Sequence, residues 1–357
     1  MGPKDKRRIG EPPYGAMWDP GSATDFAHRL SEAHERLLED PEVVERAFRV
    51  SQNCARARKS VAALSRGPAE DYEEVRASMV LREAAASCRI EGVDAALDET
   101  VAPYLAGPGE SGSAGAAAAM AAALARTYDW AFELWRTDDA RARSARRLIL
   151  GSHQRMFAAF LGPGAGRGVN VHARDAAGPD GAGAGAFRNS QNYVVGGGRI
   201  LHTPPAPGRI ENLIAGLDIY VAALESERPG AEIFPDSAGG PPGGLIASSL
   251  AHKVFEDIHP FSDGNGRVGR LLAALVAMWQ TVPACGAGKD AARPMVAPVS
   301  EEILASRESY YSALSGGRPD SGYGEDAPFG RELVLYMLGA FSGAAKTLDA
   351  AAARRVK

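Results

Sequence analysis

His259-Pro260-Phe261-Ser262-Asp263-Gly264-Asn265-Gly266-Arg267-Val268-Gly269-Arg270 is the stretch on which the reading of this chain turns. Apolar residues at helical spacing flank it. Residues 245–258 form one helical run upstream, and Val268, Leu271, Leu272, Leu275 and Trp279 form a stripe downstream. The stretch therefore reads as a loop delivered by one helix and opening the next.

Its residue types suit phosphate chemistry. His259 can take a proton from a hydroxyl near neutral pH. Asp263, four residues on, can hold Mg2+ on a phosphate. Gly264, Gly266 and Gly269 bare backbone N–H groups to an anion at a helix start, and Arg267 and Arg270 neutralise further phosphate oxygens. Together they describe base-assisted attack of a hydroxyl on a metal-bound nucleotide. A helix N-cap is the rival role for Asp263, and Phe261 reads as packing that pins the loop. Arg270 lies in the first turns of a helix, where a cation opposes the dipole, which argues for an anionic partner. His252 and Glu256, four apart, read as a hydrogen-bonded or helix-face pair rather than as metal ligands.

The rest of the chain reads as helical. After Ser22, Phe26, Leu30, Ala33 and Leu37 form a stripe, and Asp40-Pro41 caps a second helix through Val44 and Phe48. A third runs from about Asp71 through Tyr72, Val75, Met79, Ala86 and Ile90 to a stop at Gly92. Met120, Leu124, Tyr128, Ala131 and Trp135 mark another, and Arg141 to Phe157 one more. Ile210 to Leu224 is strongly periodic, and helices led by Ser300 and Phe329 finish the chain. The segments 106–115, 162–186 and 229–244 are too rich in Gly and Pro for regular structure. Only 193–203 reads as strand, a hairpin with Tyr193-Val194-Val195 and Ile200-Leu201 about three glycines. Residues 1–20 are polar and Pro/Gly-rich and are expected to be flexible.

The twelve-residue loop matches at every position the signature His-Pro-Phe-x-(Asp/Glu)-Gly-Asn-Gly-Arg-x-x-Arg, so the chain resembles the Fic-domain family of the Fic/Doc superfamily. The resemblance implies an all-α Fic fold with one β-hairpin flap. It implies an enzyme that moves AMP from ATP to a Ser, Thr or Tyr hydroxyl of a protein, with Mg2+ as cofactor. His259 looks like the general base and Asp263 like the metal ligand. Gly264, Asn265, Gly266, Arg267, Gly269 and Arg270 look like the nucleotide site. Phe187 to Gly197 resembles the flap, with Val195 and Gly196 beside the nucleotide and a target protein held by strand pairing. Tyr310-Tyr311 resembles a pair near the nucleotide, of which Tyr311 is placed at the site. Where the kinase-like branch carries Lys, this chain has Gly266, which favours nucleotidyl transfer.

Ser87-Cys88-Arg89-Ile90-Glu91-Gly92 matches the family's inhibitory pattern (Ser/Thr)-x-x-x-Glu-(Gly/Asn). On that likeness Ser87 and Glu91 are regulatory, with Glu91 competing for Arg270 against a nucleotide phosphate. Three domains are expected: a flexible N-terminus over 1–20, a helical subdomain carrying the inhibitory helix over 21–110, and a Fic domain over 111–350. Alternatives kept open are AMP removal, another nucleotide donor at the same site, and a non-catalytic nucleotide-sensing adaptor. The target, the modified hydroxyl and a homodimer are left undecided by the residues.

Composition limits the other classes. Among 357 residues, 45% are hydrophobic and 24% charged, ordinary values for a soluble domain. A net charge of −4 gives no basic footprint for nucleic acid. Cys54, Cys88 and Cys285 are scattered, as expected for reduced thiols in a cytoplasm. No run is long enough to span a membrane. Gly107-Pro108-Gly109-Glu110-Ser111-Gly112 fits a dinucleotide pattern but follows no strand, and is dismissed. His172 and His202 read as loop residues without a role, and Arg141 to Arg147 as a solvated helix face.

Overall fold

The computed structural model describes residues 15–106, 115–136, 144–161, 183–196, 198–226, 243–281, 295–316 and 327–356. Among them are twelve α-helices and one two-stranded hairpin, which makes the fold all-α. The expectations for residues 107–114, 162–182 and 227–242, and for His172, Arg141, Arg143 and Gly197, fall outside the described residues.

Side-chain caps start the chain's first two long helices. Ser22 Oγ accepts from the Asp25 amide at the head of α1 (Ala23–Leu38), whose buried stripe is Phe26, Leu30, Ala33 and Leu37. Asp40 accepts from the Glu42 and Val43 amides, and Pro41 opens α2 (Pro41–Leu64). The face that α2 buries is Val43, Ala47 and Val50 rather than Val44 and Phe48, and Phe48 is half exposed. The small residues on this face admit a close neighbour. Then come α3 (Ala69–Ile90), α4 (Leu97–Ala106), α5 (Ala116–Arg136) and α6 (Ala145–Leu161). The unexpected helix is α4, which carries Pro103 buried in its interior; the Pro103 carbonyl accepts from Arg126 at 2.6 Å.

After the hairpin of β1 (Val194–Gly196) and β2 (Arg199–His202) come α7 (Ile210–Ser226), α8 (Gly243–Ile258) and α9 (Asn265–Thr281). The strands pair antiparallel with Val194 opposite His202 and Val195 opposite Ile200, an irregularity lying between them. The segment led by Ser300 divides at Ser306 into α10 (Val299–Ala305) and α11 (Arg307–Ser315), and α12 (Arg331–Ala353) follows.

The adjacent helices α8 and α9 form the centre. From Gly244 to Ile258 every residue except Glu256 is buried, as are Arg267 through Ala277. A helix buried all round needs neighbours on every side. On one flank α12 lies along α2, joined by Arg331 to Asp40 (2.7 Å) and Glu42 (2.6 Å), and by Asn53 to Ser342 (2.7 Å). On the other, α3 packs on α5 and α10 and brings its C-terminal end to the start of α9. No helix among the described residues is long and apolar enough to cross a membrane.

Candidate active site

His259 follows directly on the C-terminus of α8. It is the single non-glycine residue with positive φ (49°) among the described residues. Its Nδ1 lies 3.3 Å from the Glu256 carbonyl. An N–H must donate there, which leaves Nε2 with its lone pair as the basic atom. Burial first, then His202 and Arg188, push the imidazole down to about 4; the Glu256 carbonyl and Glu91 oppose this. His259 is therefore neutral at pH 7.

Asn265 shapes the loop that follows. Its side chain accepts from the Phe261 amide (2.9 Å) and donates to the Phe261 carbonyl (2.8 Å), a two-way bond that closes the turn. This leaves only the backbone of Asn265 to meet an anion. Phe261 is fully buried and stacks on His153 with ring centroids 3.9 Å apart, as expected of a packing residue. Gly264, at φ 81°, approaches Phe157 so closely that a Cβ would lie 2.6 Å from its ring.

Asp263 uses Oδ1 to accept from the Gly264 amide (2.5 Å) and from Arg267 Nη2 (3.0 Å). The cap and charge-pair roles thus fall on one oxygen, which leaves Oδ2 for a cation. Arg267 is 2% exposed, and its Nε and Nη1 are buried with no hydrogen-bond partner. Both atoms belong to a guanidinium in the first turn of a helix, where the dipole already disfavours a cation. Such a group calls for an anion.

Glu91 supplies one to the neighbouring arginine. It caps the C-terminus of α3, with Gly92 following at φ 79°. Its Oε1 lies 2.8 Å from Arg270 Nη2, and a Cβ on Gly266 would meet that oxygen at 2.3 Å. The carboxylate thus rests on the start of α9, over the glycine that leaves room for it. Desolvation would raise its pKa, yet Arg270 and then Arg267 hold it below the usual carboxylate range. Ser87, one turn earlier, takes the other face of Arg270: Oγ accepts from Nε at 2.9 Å and the carbonyl from Nη2 at 2.8 Å. Ser87, Glu91, Gly266 and Arg270 are therefore in one cluster.

The remaining expected residues lie around it. Tyr311 donates to the Ile90 carbonyl at 3.4 Å, beside the last turn of α3, with Arg307 over its ring at 5.6 Å. Tyr310 is buried and meets His252 Nε2 at 2.8 Å. His252 Nδ1 and Glu256 Oε1 lie 3.9 Å apart on one helix face, too far for a hydrogen bond, and both approach Gly269. Val195 lies on β1 and is largely exposed, while Gly196 pairs with Arg199. The hairpin is tied to the loop by Asn192, which donates to the Phe261 carbonyl at 3.1 Å. Arg146 does more than face solvent, since it pairs with Glu211 (3.0 Å) and joins α6 to α7.

Several supporting residues carried no sequence signal. His202 is buried in β2, where it donates to the Asp257 carbonyl at 2.7 Å; the loop reading without a role is corrected. His153 accepts from the Gly185 amide through Nδ1 (2.8 Å) and donates through Nε2 to the Asp263 carbonyl (3.2 Å). Arg188 is 3% exposed and donates to the His259 carbonyl at 2.9 Å. Nothing in local spacing marks them, because most of their partners lie far along the chain. Among the described residues no three His, Cys, Asp or Glu gather as a metal site.

Comparison with known proteins bears on the family and the fold. The family model described as Fic/DOC family matches residues 147–277. Proteins named "Protein adenylyltransferase Fic" from Culex quinquefasciatus and Aedes aegypti are each 33% identical over 104 residues, 29% of this chain and 17% of theirs. The match thus spans about a sixth of those relatives. A Fic family protein from Desulfovibrio desulfuricans G20 covers 86% of this chain and 74% of its own at 22% identity, with a TM-score of 0.56. A Fic domain containing signaling protein from Bacteroides thetaiotaomicron covers 84% of this chain and 96% of its own at 15% identity, with a TM-score of 0.52. With the loop closed by Asn265, His259 at its head and the helical fold these structures share, residues 147–277 of the chain carry a Fic domain.

Proposed function

We propose that the chain is a protein adenylyltransferase, held idle by Glu91. It would transfer AMP from Mg2+-ATP to a Ser, Thr or Tyr hydroxyl of a target protein or of itself. The observation that carries this reading is the Glu91 carboxylate seated on Gly266 and paired with Arg270, next to an Arg267 with two buried donors unmatched. An anion site filled by the protein's own carboxylate is what a competitor for a nucleotide phosphate looks like. With Glu91 withdrawn, the α9 amides, Arg267 and Arg270 would cradle the triphosphate.

Asp263 suits Mg2+ in this arrangement. A single carboxylate oxygen serves an ion that arrives on phosphate oxygens and keeps its waters. The bound ion would neutralise phosphate charge. The target hydroxyl would attack the α-phosphorus, the bond to pyrophosphate would break, and the hydroxyl proton would pass to His259 Nε2. A base near 4 is weak, but a triphosphate beside it favours the protonated imidazole and raises its basicity toward working pH. The exposed apolar side chains of the hairpin, Tyr193, Val195, Ile200 and Leu201, suit a target segment laid against it as an added strand.

A second reading, which the likeness of residues 87–92 to the inhibitory pattern leaves open, uses the same site to remove AMP. Intact-mass spectrometry separates the two. After incubation with Mg2+-ATP, Glu91→Gly should gain the mass of AMP, and Glu91→Gly with His259→Ala should not. If Glu91→Gly gains nothing alone or with cell extract, while wild type strips AMP from a modified protein, removal is the activity.

A further inference from the structure

The structure assigns Arg188 a positioning role: with His202, it fixes His259 through the backbone and makes base and flap one mechanical unit. This inference rests on the reading of His259 as the base.

The last carbonyls of a helix lack partners within it. At the end of α8 these groups, and those just beyond, are met by the hairpin segment. The Asp257 carbonyl accepts from His202 Nε2 (2.7 Å) and that of Ile258 from Arg188 Nη2 (3.5 Å). The His259 carbonyl accepts from Arg188 Nε (2.9 Å), and that of Pro260 from the Arg188 amide (2.9 Å). Arg188 also donates to Ser190 (2.9 Å) and to Pro205 (2.5 Å), one on each side of the hairpin. Its guanidinium thus bridges both shoulders of the flap and the base.

Two features point beyond ordinary packing. These acceptors are all neutral carbonyls, and burial depresses the guanidinium to about 10. Burying a charge without an opposite one is unfavourable, so a neutral residue would serve packing better. His259 also sits at φ 49°, a strained conformation for a non-glycine residue that persists only where neighbours impose it. The bond from Arg188 to the His259 carbonyl is such an imposition. The charged or titratable groups acting on the imidazole are His202 from β2, Arg188 from the hairpin root and Glu91 from α3. A hairpin that moves on taking up a target would therefore carry the carbonyl of the base with it.

The test compares Arg188→Gln and Arg188→Lys in the Glu91→Gly background. Nitrogen NMR of the imidazole reads the pKa and tautomer of His259 without any turnover. Arg188→Gln should raise that pKa by about one unit, since a nearby cation is lost. AMP transfer at saturating nucleotide should fall about 100-fold, as for a misplaced catalytic group, with Mg2+-ATP affinity by calorimetry unchanged. Arg188→Lys keeps the charge without the fork, so the pKa should stay low while the rate still falls. An unchanged pKa and tautomer in Arg188→Gln overturns the proposal, as does a rate loss matched by lost nucleotide affinity. If the parent itself transfers no AMP, the adenylyltransferase reading fails and the NMR result alone decides the role of Arg188. Should Arg188→Gln not fold, His202→Ala is judged by the same shift of the His259 signal.

Discussion

A Cβ built on Gly266 would lie 2.3 Å from Glu91 Oε1 and 3.0 Å from Arg270 Nη1. The backbone there is ordinary helix, so the glycine is required by space and not by conformation. Alanine would gain up to about 1 kcal/mol in helix propensity, yet it must expel the carboxylate. Gly266→Ala should therefore destabilise the wild-type chain and be neutral or stabilising once Glu91→Gly has cleared the space. The expected coupling is about 1–2 kcal/mol in a double-mutant cycle read by urea unfolding. Equal effects in the two backgrounds would mean that the carboxylate does not rest on this glycine. The loop itself was legible residue by residue, because twelve positions in phase leave little freedom. The partners of Arg267 were not: that two of its nitrogens lie buried and unmatched depends on Phe157 and Asp263 closing around it.

At the scale of elements, α3 is held well short of its end. Glu83 is fully buried and accepts from the Ser300 amide (2.7 Å), the Ser300 hydroxyl (2.6 Å) and Tyr128 (2.9 Å). Arg82, beside it, pairs with Glu301 at the head of α10. Release of Glu91 is thus an event of the last turn, since the helix body is bonded to α5 and α10. Glu83→Ala leaves three donors unmatched and should cost about 3 kcal/mol or more by urea unfolding; Glu83→Gln keeps an acceptor and should cost less. Similar losses from the two would mean that volume, not hydrogen bonding, holds the junction. Caps and stripes made α1, α3, α7 and α9 readable, because those signals are local. The start of α2 was legible from its cap, but not that it buries Val43, Ala47 and Val50 while the larger Phe48 stays half exposed, and α4 carries Pro103 in its interior, where proline opposes a helix. Arg188, His202 and Glu83 bond mainly across tens to hundreds of residues, and no periodicity carries that information.

Across the whole molecule, buried titratable groups set opposite slopes of stability against pH. His153 and His252 are buried, and desolvation first pushes them down to about 4 and about 3, with His259 near 4 as well. The unfolded chain binds protons at these positions below the ordinary value of 6.5 while the folded chain does not, so stability falls as pH drops through that window. Glu256 runs the other way. Burial pushes it up to about 8 from 4.5, against the pull of Arg270, and its Oε1 has no hydrogen-bond partner. The fold keeps that proton after the unfolded chain has lost it, so stability declines as pH rises from 4.5 through 8. Glu83, also raised by burial, slopes the same way. Between 4.5 and 6.5 the two sets offset one another. Above 6.5 the histidines are neutral in both states, and the carboxyl groups alone remain. Urea unfolding should then show stability falling between pH 6.5 and 8, in part through Glu256. Glu256→Gln, which keeps the neutral shape, should be the more stable protein at pH 8 and remove that contribution. Parallel slopes for wild type and variant would place the proton elsewhere and leave Glu256 ionised beside Arg270.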